Sequence, residues 1–172
     1  NAPQPKYRCL VWACPAHYYT NFTYWTQHCW GVTCVNDMEA MLSYQPITIG
    51  DKEQALADLV RCYEKMMMRS HTNGGYVNLL DECWKMCEKF HTNIVIMYDH
   101  VSCKNVGGLH GLFEDQARER GIHLIWIPHD VMDPRTVSRR EMREAFSQYM
   151  VTVLNEKPLD PTLLDYEDTL SW

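Results

Sequence analysis

The stretch Asn93-Ile94-Val95-Ile96-Met97-Tyr98 decides the fold. It is a continuous, uncharged run rich in β-branched side chains, and such runs are typical of strands that are buried on both faces of a sheet. Three further apolar segments, at residues 7–13, 31–35 and 122–127, are predicted strands. Helical patterns lie between these segments. Strands that alternate with helices predict an α/β fold, with a parallel sheet of about four to five strands and helices on both faces.

The segments between the strands carry helical periodicity. After Asp51, apolar side chains recur at three- and four-residue steps, which predicts a helix with one apolar face. These side chains are Leu56, Leu59, Val60, Tyr63, Met66 and Met67. The sequence Asn73-Gly74-Gly75 predicts a break before the next helix. Further helices are predicted at residues 20–29, 76–90, 109–120 and 138–154, and a helical turn at 37–44.

Length and composition set the class of protein. The chain has 172 residues, of which 46% are hydrophobic, and this suits one domain with a substantial core. Its net charge of −6 argues against broad nucleic-acid binding. No apolar run approaches the roughly 18–20 residues of a membrane helix. The acidic residues 158–172, which contain prolines, predict a surface tail, and residues 1–157 then form one lobe.

The cysteine content bears on the cellular compartment of the protein, and the first residue bears on how the chain begins. Eight cysteines could form four disulfides in a secreted domain, or they could be reduced thiols. The length, apolar content and α/β pattern of the chain favour reduced thiols, and we therefore expect a cytoplasmic protein. The chain begins with Asn1 rather than methionine, which indicates a processed start or a piece of a longer protein.

The carboxyl ends of the predicted strands locate the candidate site. In parallel sheets, ligands bind outside these ends, where the strand order reverses. Cys14 ends the first strand, and Cys103 follows the strand at 93–98. If these strands are neighbours, both thiols open onto one crevice, where His17, His100 and His110 could join them. The same rule selects residues 128–133, after the last predicted strand, as part of the site. Clusters of cysteine and histidine bind zinc or iron–sulfur clusters. The spacing Cys9-x4-Cys14 differs from that of zinc ribbons, so a zinc finger is rejected.

Cys103 has two possible roles and one inert alternative. A thiol in a loop at this edge can be a nucleophile or a metal ligand, and Lys104 next to it would stabilise the thiolate. The alternative is a half-buried thiol without a function. Gly107-Gly108 is predicted to open a helix, whose first backbone amides could hold a phosphate. Neither a Rossmann glycine fingerprint nor a P-loop motif is present, which disfavours dinucleotide and P-loop chemistry.

A family resemblance appears around Cys103. The sequence Met97-Tyr98-Asp99-His100-Val101-Ser102-Cys103-Lys104 is followed by a helix and then by the strand segment Arg120-Gly121-Ile122-His123-Leu124-Ile125-Trp126-Ile127. Next come Met132-Asp133-Pro134-Arg135 and a helix with Arg143. This order resembles the carboxyl-terminal part of the 2-hydroxyacyl-CoA dehydratase and benzoyl-CoA reductase family, most clearly over residues 94–150. The tail from Leu159 onward looks more like a benzoyl-CoA reductase subunit.

The resemblance implies a fold and a cofactor. Subunits of the family are similar to two flavodoxin-like lobes with a [4Fe-4S] cluster between them. Two cluster cysteines normally come from the amino-terminal lobe and one from the carboxyl-terminal lobe, and Cys103 matches the last one. On this interpretation residues 1–157 are a flavodoxin-like carboxyl-terminal lobe. We also predict Cys14 as a second iron ligand, and a substrate crevice at His17, Tyr18, Ser102, Lys104, Gly107 and Gly108.

The resemblance also implies a reaction and partners. Electrons at low potential would pass from the cluster to the carbonyl of an acyl-CoA thioester and give a ketyl radical. Ring reduction of the benzoyl-CoA type is the preferred reaction, and dehydration of a 2-hydroxyacyl-CoA is the alternative. The implied partners are a paired homologous subunit and an ATP-hydrolysing iron–sulfur activator, without nucleic acid or membrane. A third hypothesis is a non-catalytic lobe that only mediates subunit contacts.

Overall fold

The fold of the protein was obtained as a computed structural model that describes residues 5–39, 46–64 and 66–165. The sheet consists of β1 (Tyr7–Trp12), β2 (Val32–Asp37), β3 (Ile94–His100) and β4 (His123–His129). The helices are α1 (Phe22–Trp30), α2 (Lys52–Glu64), α3 (Met67–Phe90), α4 (Lys104–Gly107), α5 (His110–Arg120) and α6 (Arg139–Thr152). A 3-10 turn follows at Pro161–Leu163.

All four strands are parallel and lie in the order β2-β1-β3-β4. This confirms the predicted α/β, flavodoxin-like sheet. The strand order reverses between β1 and β3, so the two strands predicted to carry Cys14 and Cys103 are neighbours. Their carboxyl ends therefore form the place where a ligand is expected in an open α/β sheet.

The strands are longer than the sequence predicts. Asp99 pairs with Pro128 and His100 pairs with His129, so β3 and β4 continue two residues into the predicted loops. Pro128 does not end β4, because β4 is an edge strand. A proline has no backbone N–H, and at an edge this does not cost the sheet a hydrogen bond between two inner strands. The extension places His100 and His129 side by side at the end of the sheet.

The sheet separates two apolar cores. Alternate residues of a strand point to opposite faces. Cys9 and Val11 therefore pack with α1 and α6, whereas Leu10 and Trp12 pack with α3 and α5. The first core contains a cluster of aromatic rings around Phe22, and the second contains Trp84 and Phe113.

Helix α2 is present but ends at Glu64, before the predicted Met66 and Met67, and the described residues leave its apolar face exposed. An apolar stripe normally marks the buried side of a helix. Here Leu56, Val60 and Tyr63 are 50%, 56% and 60% exposed. The buried residue of α2 is Asp58, whose carboxylate accepts hydrogen bonds from the amide and hydroxyl of Thr48. These hydrogen bonds, rather than apolar contacts, fix the inner side of the helix.

The predicted helix ends are seen where glycines allow them. Gly75 has φ 73° and interrupts α3, which confirms the predicted break as a kink inside one long helix. Gly121 ends α5 in the left-handed conformation, with φ 64°. The predicted turn at 37–44 begins at Asp37, the last residue of β2, and residues 40–45 lie outside the described residues.

The first part of the predicted tail packs on α1. The amide of Leu159 donates to the carbonyl of Cys29 at 2.7 Å, and the indole N–H of Trp25 donates to the carbonyl of Leu163 at 2.8 Å. Residues 166–172 lie outside the described residues. In the part of the chain that the structure describes, no helix is both long and apolar enough to cross a membrane.

Candidate functional site

A cavity of about 300 Å³ opens at the carboxyl ends of β1, β3 and β4, and we call it the carboxyl-edge cavity. Cys14 lines it from the loop after β1, and Cys103 lines it from the turn after β3. The two thiols that the sequence places in one crevice are thus brought to the same cavity. Apolar side chains form most of its remaining wall, among them Trp12, Met38, Leu79, Met97 and Phe113.

The turn after β3 fixes Cys103. Its amide donates to the carbonyl of His100 at 2.9 Å, and its own carbonyl accepts from the amide of Gly107 at 3.1 Å. Cys103 is the N-cap residue, directly before the short α4, and is half-buried. Its backbone is bonded on both sides, so the thiol is held at the cavity without depending on its own side-chain contacts.

Ser102 orients the imidazole ring of His100. The amide of Ser102 donates to Nδ1 of His100 at 3.1 Å, and the Ser102 hydroxyl lies 3.0 Å from the same nitrogen. A nitrogen that accepts from an amide carries no proton, so neutral His100 has its proton on Nε2. The ring therefore offers an N–H donor at the cavity wall.

His129 is the most deeply buried polar group of the cavity. Its side chain is 1% exposed, and neither ring nitrogen has a hydrogen-bond partner among the described residues. Burial, followed by the neighbouring His100, lowers the pKa of His129, although the backbone of Asp99 and Cys14 and the charge of Asp130 oppose the shift. The imidazole is thus kept neutral, between the rings of Tyr98 and His100.

Cys14 has two ligand-type neighbours, His17 and Glu39, neither of which is among the residues that line the cavity. Its Sγ lies 3.8 Å from Nε2 of His17, and Sγ, Nε2 and a carboxylate oxygen of Glu39 all lie within 4.8 Å of one another. Burial, and after it the hydrogen bond to Glu39, raises the pKa of Cys14 to about 12. The unligated thiol is therefore protonated at neutral pH.

Other predicted crevice residues lie elsewhere. The Tyr18 hydroxyl donates to the carbonyl of Val137 at 2.6 Å and contacts the core formed by α1 and α6. Lys104, Gly107 and Gly108 are exposed and are not among the residues that line the cavity. Gly107-Gly108 ends α4 rather than opening a helix, and α5 begins at His110. The predicted phosphate-binding helix start is therefore not formed by these glycines.

His71 and Glu39 escaped the sequence analysis. His129 lies in the segment 128–133 that the strand-end rule selects, although the sequence analysis does not single it out there. His71 comes from α3 across the cavity, and its Nε2 is buried without a partner among the described residues. Glu39 reaches Cys14 because the Met38 amide donates to the carbonyl of Val11.

Comparison with known families adds the decisive observation. Residues 1–150 match the family model described as 2-hydroxyglutaryl-CoA dehydratase, D-component. The chain belongs to this family. The match includes all four strands and both cysteines of the cavity. It confirms the predicted family at the level of the 2-hydroxyacyl-CoA dehydratases. A comparison with curated proteins found no match.

The cavity fits part of an iron–sulfur site. Such clusters are held by about four thiolates or by three with another ligand, in a setting shielded from water. The described cysteines that line the cavity are Cys14 and Cys103, and its walls are largely apolar. The buried imidazole of His129 adds one polar group to this wall. The chain thus offers one face of a site that needs further ligands from elsewhere.

Proposed function

We propose that this dehydratase-family chain contributes Cys103 as an iron ligand to a [4Fe-4S] cluster of an acyl-CoA-converting enzyme. The observation that carries the proposal is the placement of Cys103, which the turn after β3 holds at an apolar cavity between the strand ends. The remaining ligands come from another lobe or subunit. The proposal does not need Cys14, whose role as a second iron ligand stays a prediction.

When bound, a cluster held in part by Cys103 would provide one-electron reduction of the thioester carbonyl. The chain itself does three things. Trp12, Met97 and Phe113 exclude water from the reacting groups, which strengthens every polar interaction inside the cavity. His100 lines the cavity, and because Ser102 engages its Nδ1, the Nε2–H is the ring donor available for the acyl oxygen. The neutral His129 offers a second polar contact without adding a charge that a dry site would disfavour.

The substrate class that the family supports is a 2-hydroxyacyl-CoA, from which water is removed. Ring reduction of the benzoyl-CoA type remains the second candidate, and its support is the resemblance of the residues from Leu159 onward. The two reactions share the cavity and Cys103. Turnover of a 2-hydroxyacyl-CoA and of benzoyl-CoA by the same anaerobic preparation distinguishes them.

The proposed partners are a paired homologous subunit and an ATP-hydrolysing iron–sulfur activator. The uncovered apolar face of α2 supports a subunit contact, since water-exposed stripes of this kind are common at protein interfaces. The eight free thiols suit the reducing cytoplasm that we propose as the location. A lobe that only mediates subunit contacts would keep this surface but would bind no iron.

The test is iron content and turnover of the enzyme complex that contains this chain, purified without oxygen. Cys103→Ala is expected to lose the cluster and all turnover, while far-ultraviolet circular dichroism stays unchanged. Cys62→Ala, on α2, is the matched control and should retain both. Wild-type iron and rate in Cys103→Ala would contradict the proposal and favour the non-catalytic lobe.

A further inference from the structure

The loop after β1 brings three different metal-ligand atoms together. Cys14 supplies a sulfur, His17 an imidazole nitrogen and Glu39 a carboxylate oxygen, and all three atoms lie within 4.8 Å of one another. Each belongs to a residue type that binds zinc. Cys103, which lies after the neighbouring strand, is not one of the three grouped residues.

The separation of the donors suits a single tetrahedral ion. Zinc lies about 2.3 Å from sulfur and about 2.0–2.1 Å from nitrogen, so two such ligands of a tetrahedral ion are about 3.6 Å apart. Sγ of Cys14 and Nε2 of His17 are 3.8 Å apart. Only a small side-chain movement is needed to place an ion between them.

The backbone holds the three residues near one another. The amide of His17 donates to the carbonyl of Val131 at 2.9 Å, which ties the loop after β1 to the loop after β4. The amide of Met38 donates to the carbonyl of Val11 at 3.0 Å, and Met38 is buried. Glu39 follows directly, so its carboxylate is delivered to the end of β1. The ligands thus come from two loops that hydrogen bonds fix in place.

We propose that Cys14, His17 and Glu39 bind one divalent zinc ion, in a site distinct from the cluster that Cys103 holds. On binding, the Cys14 thiol releases its proton to solvent, and the thiolate sulfur bonds to the ion. The hydrogen bond between Cys14 and Glu39 is lost, and the Glu39 carboxylate also bonds to the ion. Three protein ligands leave the fourth position to water or to another oxygen or nitrogen donor, the arrangement of zinc sites that bind a further molecule. His17 is exposed, so the fourth position is open to solvent.

The test is titration of the full, reduced chain with Co²⁺, a spectroscopic substitute for zinc, followed by competition with Zn²⁺. We expect one Co²⁺ per chain, a sulfur-to-cobalt charge-transfer band and displacement by Zn²⁺. Loss of an outer partner of a metal ligand already weakens binding about 10–100-fold, so His17→Ala and Glu39→Gln should each weaken it by at least about 100-fold. Cys14→Ser should lose the band.

Cys103→Ala is the matched control, because it removes the other half-buried thiol of the same cavity. It should keep the band and the affinity. Loss of the band in Cys103→Ala would show that both thiols share one metal centre and would overturn the separate site. An unchanged band in Cys14→Ser, or no band in the wild type, would overturn it as well. Circular dichroism of each variant establishes that the fold is retained, and His17→Ala, an exposed position, serves if Cys14→Ser does not fold.

Discussion

Cys103 and Cys83 form a pair whose substitution should separate function from stability. Cys83 is completely buried on α3, where its thiol packs in the core shared with α5. Removing one buried methylene costs about 0.5–1.5 kcal/mol, and the sulfur of Cys83 is somewhat larger. Loss of its hydrogen bond with the Cys87 thiol adds about 0.5–1.5 kcal/mol. Cys83→Ala should therefore lower the free energy of unfolding by about 1–3 kcal/mol and leave the iron content unchanged.

Cys103→Ala should show the opposite pattern. The side chain is half-buried at the wall of a cavity, so little packing is lost, and we expect a change within about 0.5 kcal/mol. Urea denaturation of the reduced chain measures the stabilities, and iron analysis of the anaerobic enzyme complex measures the cluster. A loss of iron in Cys83→Ala together with wild-type iron in Cys103→Ala would refute the reasoning, because it would place the cluster in the core beneath α3 rather than at the turn after β3.

Three further outcomes are expected. The chain on its own should fold but retain no stable [4Fe-4S] cluster, because its cavity supplies too few thiolates. Anaerobic reconstitution to about four irons per chain would contradict this prediction. Ser138 and Glu141 cap the start of α6, and Ser138→Ala removes the capping hydroxyl. This change should lower the free energy of unfolding, measured by urea denaturation, by about 1 kcal/mol. An unchanged denaturation midpoint would show that the cap is dispensable. Because burial lowers the pKa of His129, the unfolded chain binds a proton there that the folded chain refuses, so stability should fall as the pH drops below about 6.5. His129→Phe should reduce that loss between pH 7.5 and 5.5, and an equal loss in both proteins would point to other groups.

The strands were predictable because their apolar runs are continuous. Burial on both faces of a central strand removes the need for polar alternation, and Asn93-Ile94-Val95-Ile96-Met97-Tyr98 shows this directly. The ends of the strands were harder to predict from the sequence. The pairing of Asp99 with Pro128 depends on the two strands being neighbours, which neither segment reveals by itself. The exposed face of α2 could not be foreseen either, because an apolar stripe does not reveal what covers it.

The site was predictable in its frame and not in its details. The rule for open α/β sheets places Cys14 and Cys103 at one edge once β1 and β3 are adjacent. The direction of the chain after β1 depends on Ala13, whose φ of 66° is unusual for a residue other than glycine. That conformation decides where the following loop travels, and with it the positions of His17 and Tyr18. Neither spacing nor composition reveals such a backbone angle.

The division of the interior by the sheet has a consequence for how the sequence can change over time. Most apolar walls of the carboxyl-edge cavity come from the core beneath α3 and α5, which holds Trp12, Met97 and Phe113. The residues of the opposite core, around Phe22 and Phe146, are constrained mainly by how well they pack against one another. Substitutions there can accumulate and compensate one another while the chemistry is preserved, so mutational drift should be unequal on the two sides of one sheet.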